Sequence, residues 1–183
     1  MRREEACWAR ALWGNRLKGR IPLKGQIPLK GESPATKSSK STKMPESQLL
    51  ILFLAIVQME SSGDLNARNG SAVGPAQIQP AVVKDIQSWG HQASLKDRST
   101  LDGSFRLFQL YTDRWVARHK LPDTPQTRAN IWRHGPNSKY ALKGESTKYA
   151  LKVQSMVNDP SLGWAHPNSR KWFNDRGKHD LRR

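Results

Sequence analysis

From Pro45 onward the apolar residues fall at helical intervals. Leu49 to Met59 is apolar almost all round a helix, Pro45 suits the first helical position, and Glu46 suits the positive end of the helix dipole. This pattern predicts a buried helix ending at Ser61-Ser62-Gly63, with Gly63 in the left-handed cap. Asp64 to Val73 is polar and turn-rich, and Asn69-Gly70 signals a two-residue hairpin loop, so a loop or small β-hairpin is expected there. Gln79-Pro80 reopens a helix with an apolar face of Val82, Val83, Ile86 and Trp89, and Gly90 ends it. Phe105, Phe108, Tyr111 and Trp115 recur every three or four positions, predicting core residues on a helix from about Asp102 to His119. Thr124 caps the next helix, Pro125 opens it, Ala129, Ile131 and Trp132 follow, and Gly135-Pro136 stops it. A last helix covers Ser146 to Val157. The expected fold is mainly α, with at most a small β-hairpin.

A chain of 183 residues holds one domain with a real core more comfortably than two. Residues 44–160 take that role. Residues 1–43 read as a basic disordered tail, rich in Gly, Pro, Ser and Lys, with tandem pieces at Ile21 to Gly25 and Ile27 to Gly31. Residues 161–183 read as a basic, aromatic-containing tail, where Trp164, Trp172 and Phe173 stand among Arg170, Lys171, Arg176 and Lys178. Such a stretch could stack on glycan or nucleic acid, although a solvated tail is favoured. Lys139 to Lys143 and Lys148 to Lys152 repeat Lys-Tyr-Ala-Leu-Lys, two copies being too few for a solenoid.

The net charge of +16 calls for a polyanionic partner or setting: nucleic acid, anionic lipid or cell-wall polymer. Much of the excess lies in the tails, since Met1 to Lys43 holds 11 basic and 3 acidic residues and the middle holds 14 and 10. Cys7 is the only cysteine, which excludes an intrachain disulfide and a thiolate zinc cluster. Leu49 to Val57 is too short to span a bilayer. As a signal-peptide core it lacks a preceding basic cluster and a following small-residue cleavage site, so a buried helix is preferred and no convincing export signal is identified.

Breaking a glycosidic bond requires a proton on the leaving oxygen, which a partly desolvated carboxylic acid can supply near neutral pH. Glu60 closes an apolar helix and opens onto Ser61-Ser62-Gly63, which fits that need. Taken alone, a glutamate in a last turn is more often a surface residue. The context changes the balance. Met59-Glu60-Ser61-Ser62-Gly63-Asp64-Leu65-Asn66-Ala67, then Gly70, then Gly74-Pro75-Ala76-Gln77-Ile78-Gln79-Pro80 resembles the goose-type lysozyme and lytic transglycosylase superfamily in the order and spacing of its motifs. Ala129 to Asn137 and Ser146 to Val153 resemble later segments of its small bacterial and phage-type members, so the likeness covers roughly Pro45 to Val157.

That resemblance implies a lysozyme-like helical domain cleaving the β-1,4 MurNAc–GlcNAc bond of peptidoglycan, as a lytic transglycosylase or a muramidase. It implies Glu60 as the catalytic acid and base, Ser61, Gly74 and Gln77 along the cleft, Tyr149 near the acid, and Asn137 as a further cleft residue. Arg133-His134 stand where the family often has Asn-Gly, and Ala150 replaces the usual Trp, which bears on substrate affinity. The implied partners are peptidoglycan strands, with anionic cell-wall polymers meeting the basic tails, and the implied setting is the cell envelope, periplasm or exterior. Asp64 could position a water as the base of an inverting hydrolase or cap a turn, and the turn is favoured. Asp97 and Asp102 are more distant carboxylates that folding could bring near.

His91, His119, His134, His166 and His179 lack a metal-ligand spacing and no phosphate-binding glycine loop occurs, so neither metal nor cofactor is expected. The alternative is a non-catalytic binding protein: a wall-binding relic of the fold, against which Glu60 speaks, or a basic nucleic-acid-binding protein, for which no recognition motif is evident.

Overall fold

The apolar run becomes the core helix. In the computed structural model, which describes residues 43–159 and 167–180, α1 (Glu46–Ser61) buries Leu49, Leu50 and every residue from Leu52 to Val57. Each large apolar side chain so enclosed stabilises the fold by roughly 1.5–3 kcal/mol. The cap differs by one position from expectation. Ser62, at φ 54° and ψ 25°, takes the left-handed conformation and its N–H donates to the Gln58 carbonyl at 3.2 Å, with Gly63 following at φ 87°. The Ser61 hydroxyl accounts for the shift, because it accepts from the Gly63 N–H at 3.2 Å and so holds that glycine outside the helix. Among the described residues no helix is long and apolar enough to cross a membrane.

After α1 come β1 (Arg68–Asn69) and β2 (Ala72–Val73), antiparallel, with Arg68 opposite Val73 and Asn69 opposite Ala72. That register makes Gly70-Ser71 the loop, and Gly70 has the positive φ, 61°, that a glycine supplies freely at the first central position. Then follow α2 (Pro80–Ser88), a 3₁₀ turn (Leu95–Ser99), α3 (Leu101–Arg118), α4 (Pro125–His134), α5 (Lys139–Lys143), α6 (Lys148–Asn158) and α7 (Pro167–Asp180). The described fold is therefore mainly α with one small hairpin. Proline opens α2 and α4, and Thr124 caps α4 by accepting from the Thr127 N–H at 3.1 Å. Both copies of the five-residue repeat start helices in the same way, Ser138 accepting from Ala141 N and Thr147 from Ala150 N.

α1 packs against α3, α4 and α6, while α4 also carries α5. Two buried arginines tie this body together. Arg98 donates to the carbonyls of Ser71, Ile78 and Leu95, fastening the 3₁₀ turn to the hairpin. Arg128 donates from Nε and Nη2 to both carboxylate oxygens of Asp123, at 2.6 and 2.9 Å, and from Nη1 to Thr112 Oγ1 at 2.6 Å. Its Nη1 also stands 2.6 Å from Asp113 Oδ1. Asp123 Oδ2 further accepts from the Met44 N–H at 2.9 Å, which pins the chain where it enters α1.

The stretch expected to be a solvated C-terminal tail requires a correction. α7 places the Trp172 ring 5.8 Å from both Phe53 and Phe105, and the indole N–H donates to Asp102 at 3.1 Å. The packed body thus extends beyond Pro160, because a half-buried tryptophan covers two core phenylalanines. Residues 1–42, with their expected tail, and Trp164 lie outside the described residues.

Candidate active site

Glu60 stands in the last turn of α1, its side chain only 11% exposed, on the wall of a cleft of about 310 Å³. Gln77, Ile78 and Gln79 from the segment before α2, Ala81 and Val82 from α2, Tyr111 from α3, and Ile131, Trp132, Arg133 and Gly135 at the end of α4 complete the lining. Glu60 is the one carboxylate, and Arg133 the one cation, among these described lining residues.

The two oxygens of Glu60 have different partners. Oε1 accepts from the Tyr149 hydroxyl at 2.8 Å, and Oε2 lies 3.4 Å from Arg133 Nη1. Burial, then the charge and hydrogen bond of Glu60, push the Tyr149 phenol far above its ordinary 10.0, with Arg133 opposing weakly. Tyr149 thus keeps its proton near neutral pH and donates a hydrogen bond to Oε1, leaving Oε2 on the side of the cleft-lining guanidinium. Tyr111, raised mainly by burial and then by Asp85, likewise keeps its proton.

Ser61 and Gly74 do not line the cleft; they build it. The Ser61 hydroxyl donates to the Pro75 carbonyl at 2.7 Å, and Trp132 Nε1 donates to the Ala76 carbonyl at 3.2 Å, so the segment beside Glu60 is tied to α1 and α4. Gly74, at φ 83°, presses on the 3₁₀ turn so closely that a Cβ would lie 1.6 Å from the Arg98 carbonyl oxygen. Gln77 lines the cleft at φ 50°, its side-chain amide turned back to the Gly74 carbonyl at 2.8 Å.

Asn137 is not brought to the cleft: it lies exposed in the turn between α4 and α5. Nor does another carboxylate line the cleft among the described residues, although the charge of Asp85 on α2 reaches Tyr111. Asp64 accepts from the Asn66 N–H in a local turn, Asp97 caps the 3₁₀ turn and pairs with Arg106, and Asp102 meets Trp172 and Arg176. No family model, curated protein or solved structure matches the chain.

Sequence reasoning missed the role of Asn130. Fully buried on α4, it donates to the carbonyls of Tyr140 and Glu145 and accepts from the Thr147 hydroxyl at 2.8 Å. Thr147 caps α6, so Asn130 sets the start of the helix that presents Tyr149. A polar residue amid Ala129, Ile131 and Trp132 was the available signal. Tyr111, expected to be core, also lines the cleft, as does the half-buried Trp132.

Proposed function

We propose that this chain cleaves the β-1,4 bond between MurNAc and GlcNAc in peptidoglycan, with Glu60 as its single catalytic acid and base. The observation that carries this reading is a largely enclosed glutamate on a cleft wall, one oxygen held by a hydrogen bond from Tyr149, with no second carboxylate among the described lining residues. The resemblance of the motifs around Glu60 supports the same assignment.

In this reading Glu60 gives its proton from Oε2 to the glycosidic oxygen as the C1–O bond breaks. The growing positive charge on the sugar is then quenched by a nucleophile whose proton returns to Glu60. An inverting hydrolase would need a second carboxylate about 6.5–9.5 Å away to activate water. Without one in the lining, attack by the sugar's own 6-hydroxyl is favoured, closing a 1,6-anhydro ring and consuming no water. Tyr149 positions the acid, Asn130 positions Tyr149, and Gln77, Tyr111 and Trp132 meet the sugars.

Mass analysis of products from purified peptidoglycan tests this directly. Anhydro-ended muropeptides are expected. Reducing-end products alone would replace the transglycosylase by a muramidase, and intact strands that stay bound would replace the enzyme by a wall-binding protein.

A further inference from the structure

Arg133 is poorly committed to its partner. The 3.4 Å contact with Glu60 is long beside the roughly 2.7–2.9 Å of a strong charge-assisted hydrogen bond, and it uses one guanidinium nitrogen only. The side chain is 53% exposed, so water screens the pair. Meanwhile the guanidinium lies over the Tyr149 ring, 5.5 Å from its centre, a stack that holds it at the cleft edge while its other N–H groups have no hydrogen-bond partner among the described residues. Among the described lining residues no second cation competes, and burial, then the charge of Arg133, hold the neighbouring His134 imidazole below its ordinary 6.5.

We propose that Arg133 is the receptor for a carboxylate carried by the glycan, making the cleft selective for anionic over neutral strands; this rests on the glycosidase reading above. A muramoyl sugar offers that carboxylate either on its lactyl ether or on an attached peptide stem, with the same chemistry. Planar, two-point pairing with a ligand carboxylate is better than the single long contact it replaces. On making it, the guanidinium leaves Oε2, so the oxygen that delivers the proton becomes unobstructed when an anionic strand is seated.

The test uses the full chain and three glycans: peptide-stripped strands with free lactyl carboxylates, peptide-bearing strands, and chitooligosaccharides, which have the same linkage and no carboxylate. In Arg133→Gln the ratio of kcat/KM for carboxylated over neutral strands should fall on the order of tenfold or more, mainly through KM. Arg133→Lys, which keeps the charge and loses the fork, should give a ratio between those of wild type and Arg133→Gln. A fall confined to stripped strands assigns the lactyl carboxylate, and one confined to peptide-bearing strands assigns the stem. A ratio unchanged in Arg133→Gln, or equal in the Lys and Gln variants, overturns the proposal while leaving Glu60 catalysis intact. If the wild type cleaves none of the three, the glycosidase reading fails. The ratio of binding affinities for the same glycans then decides the receptor: lower in Arg133→Gln sustains it, and equal overturns it.

Discussion

Arg128 and Arg133 stand on the same helix and both meet carboxylates, yet Arg128 is 1% exposed and bonded at 2.6–2.9 Å, whereas Arg133 is 53% exposed and touches Glu60 at 3.4 Å. Enclosure makes the first arrangement a fixed part of the fold, since losing Arg128 strands the buried Asp123 carboxylate away from water. Exposure leaves the second exchangeable, because water already takes up much of the interaction. One helix therefore anchors the domain at its start and offers an adjustable contact at its end.

The most severe way to break this contrast is Arg128→Ala, which leaves Asp113 and Asp123 without their buried partner. A loss of about 3–5 kcal/mol is expected from denaturant unfolding. The effect carries a pH signature. Burial alone would raise the Asp123 carboxyl, but the hydrogen bonds from Arg128 and Met44 and the charges of Arg128 and Lys43 outweigh it and hold the carboxyl below its ordinary 3.8. A carboxyl lower in the folded than in the unfolded chain contributes stability above the unfolded value, and that stability disappears as pH falls through the folded one. Wild type should lose this contribution below about pH 4, and Arg128→Ala should show a flatter acid limb.

Glu60→Gln sharpens the other side. Glycan cleavage should drop at least about a hundredfold, because an amide cannot donate the proton. Its unfolding free energy should stay within about 1 kcal/mol of wild type, since the amide oxygen can still accept from Tyr149 and the guanidinium it loses is exposed to water. A variant that cleaves at near wild-type rates would remove Glu60 from the chemistry.

A mainly apolar loss, with one exposed hydrogen bond to Asp102, supplies the scale for both. Trp172→Ala uncovers Phe53 and Phe105, and should cost roughly 2 kcal/mol, below the 3–5 kcal/mol of a fully buried aromatic because the ring is half-buried. An unchanged denaturation midpoint would show that α7 contributes no net stability. Least disruptive is Arg133→Gln, for which a stability change under about 1 kcal/mol is expected by thermal unfolding. A loss comparable to that of Arg128→Ala would erase the distinction between the two arginines.

How much of this was legible in the sequence follows from the range of the forces involved. α1, α2 and α4 were readable because proline, threonine caps and glycine stops act within a few residues, and the small hairpin was legible for the same reason. α5 was not, since a single turn ending at Gly144, φ 65°, carries too little periodicity to register. The helix from Pro167 was hidden by its basic residues, and only the packing of Trp172 on distant phenylalanines reveals its buried side. Glu60, Gln77 and Tyr149 came from motif order and local setting. The contact between Glu60 and Arg133, 73 residues apart, exists only once α1 and α4 are packed together. Asn137 failed as a cleft residue because the chain turns away after Gly135.

The segment from Gly74 to Ile78 hangs from α1 through Ser61, from α4 through Trp132, and from the hairpin through the paired backbone of Val73 and Ile78. Each tether is made before any ligand arrives, so the conformational entropy of that wall is surrendered during folding. A strand entering the cleft surrenders its own freedom but not the wall's. If the ligand is the anionic strand proposed above, association should follow the rate at which it diffuses to the opening, with ionic strength as its governor.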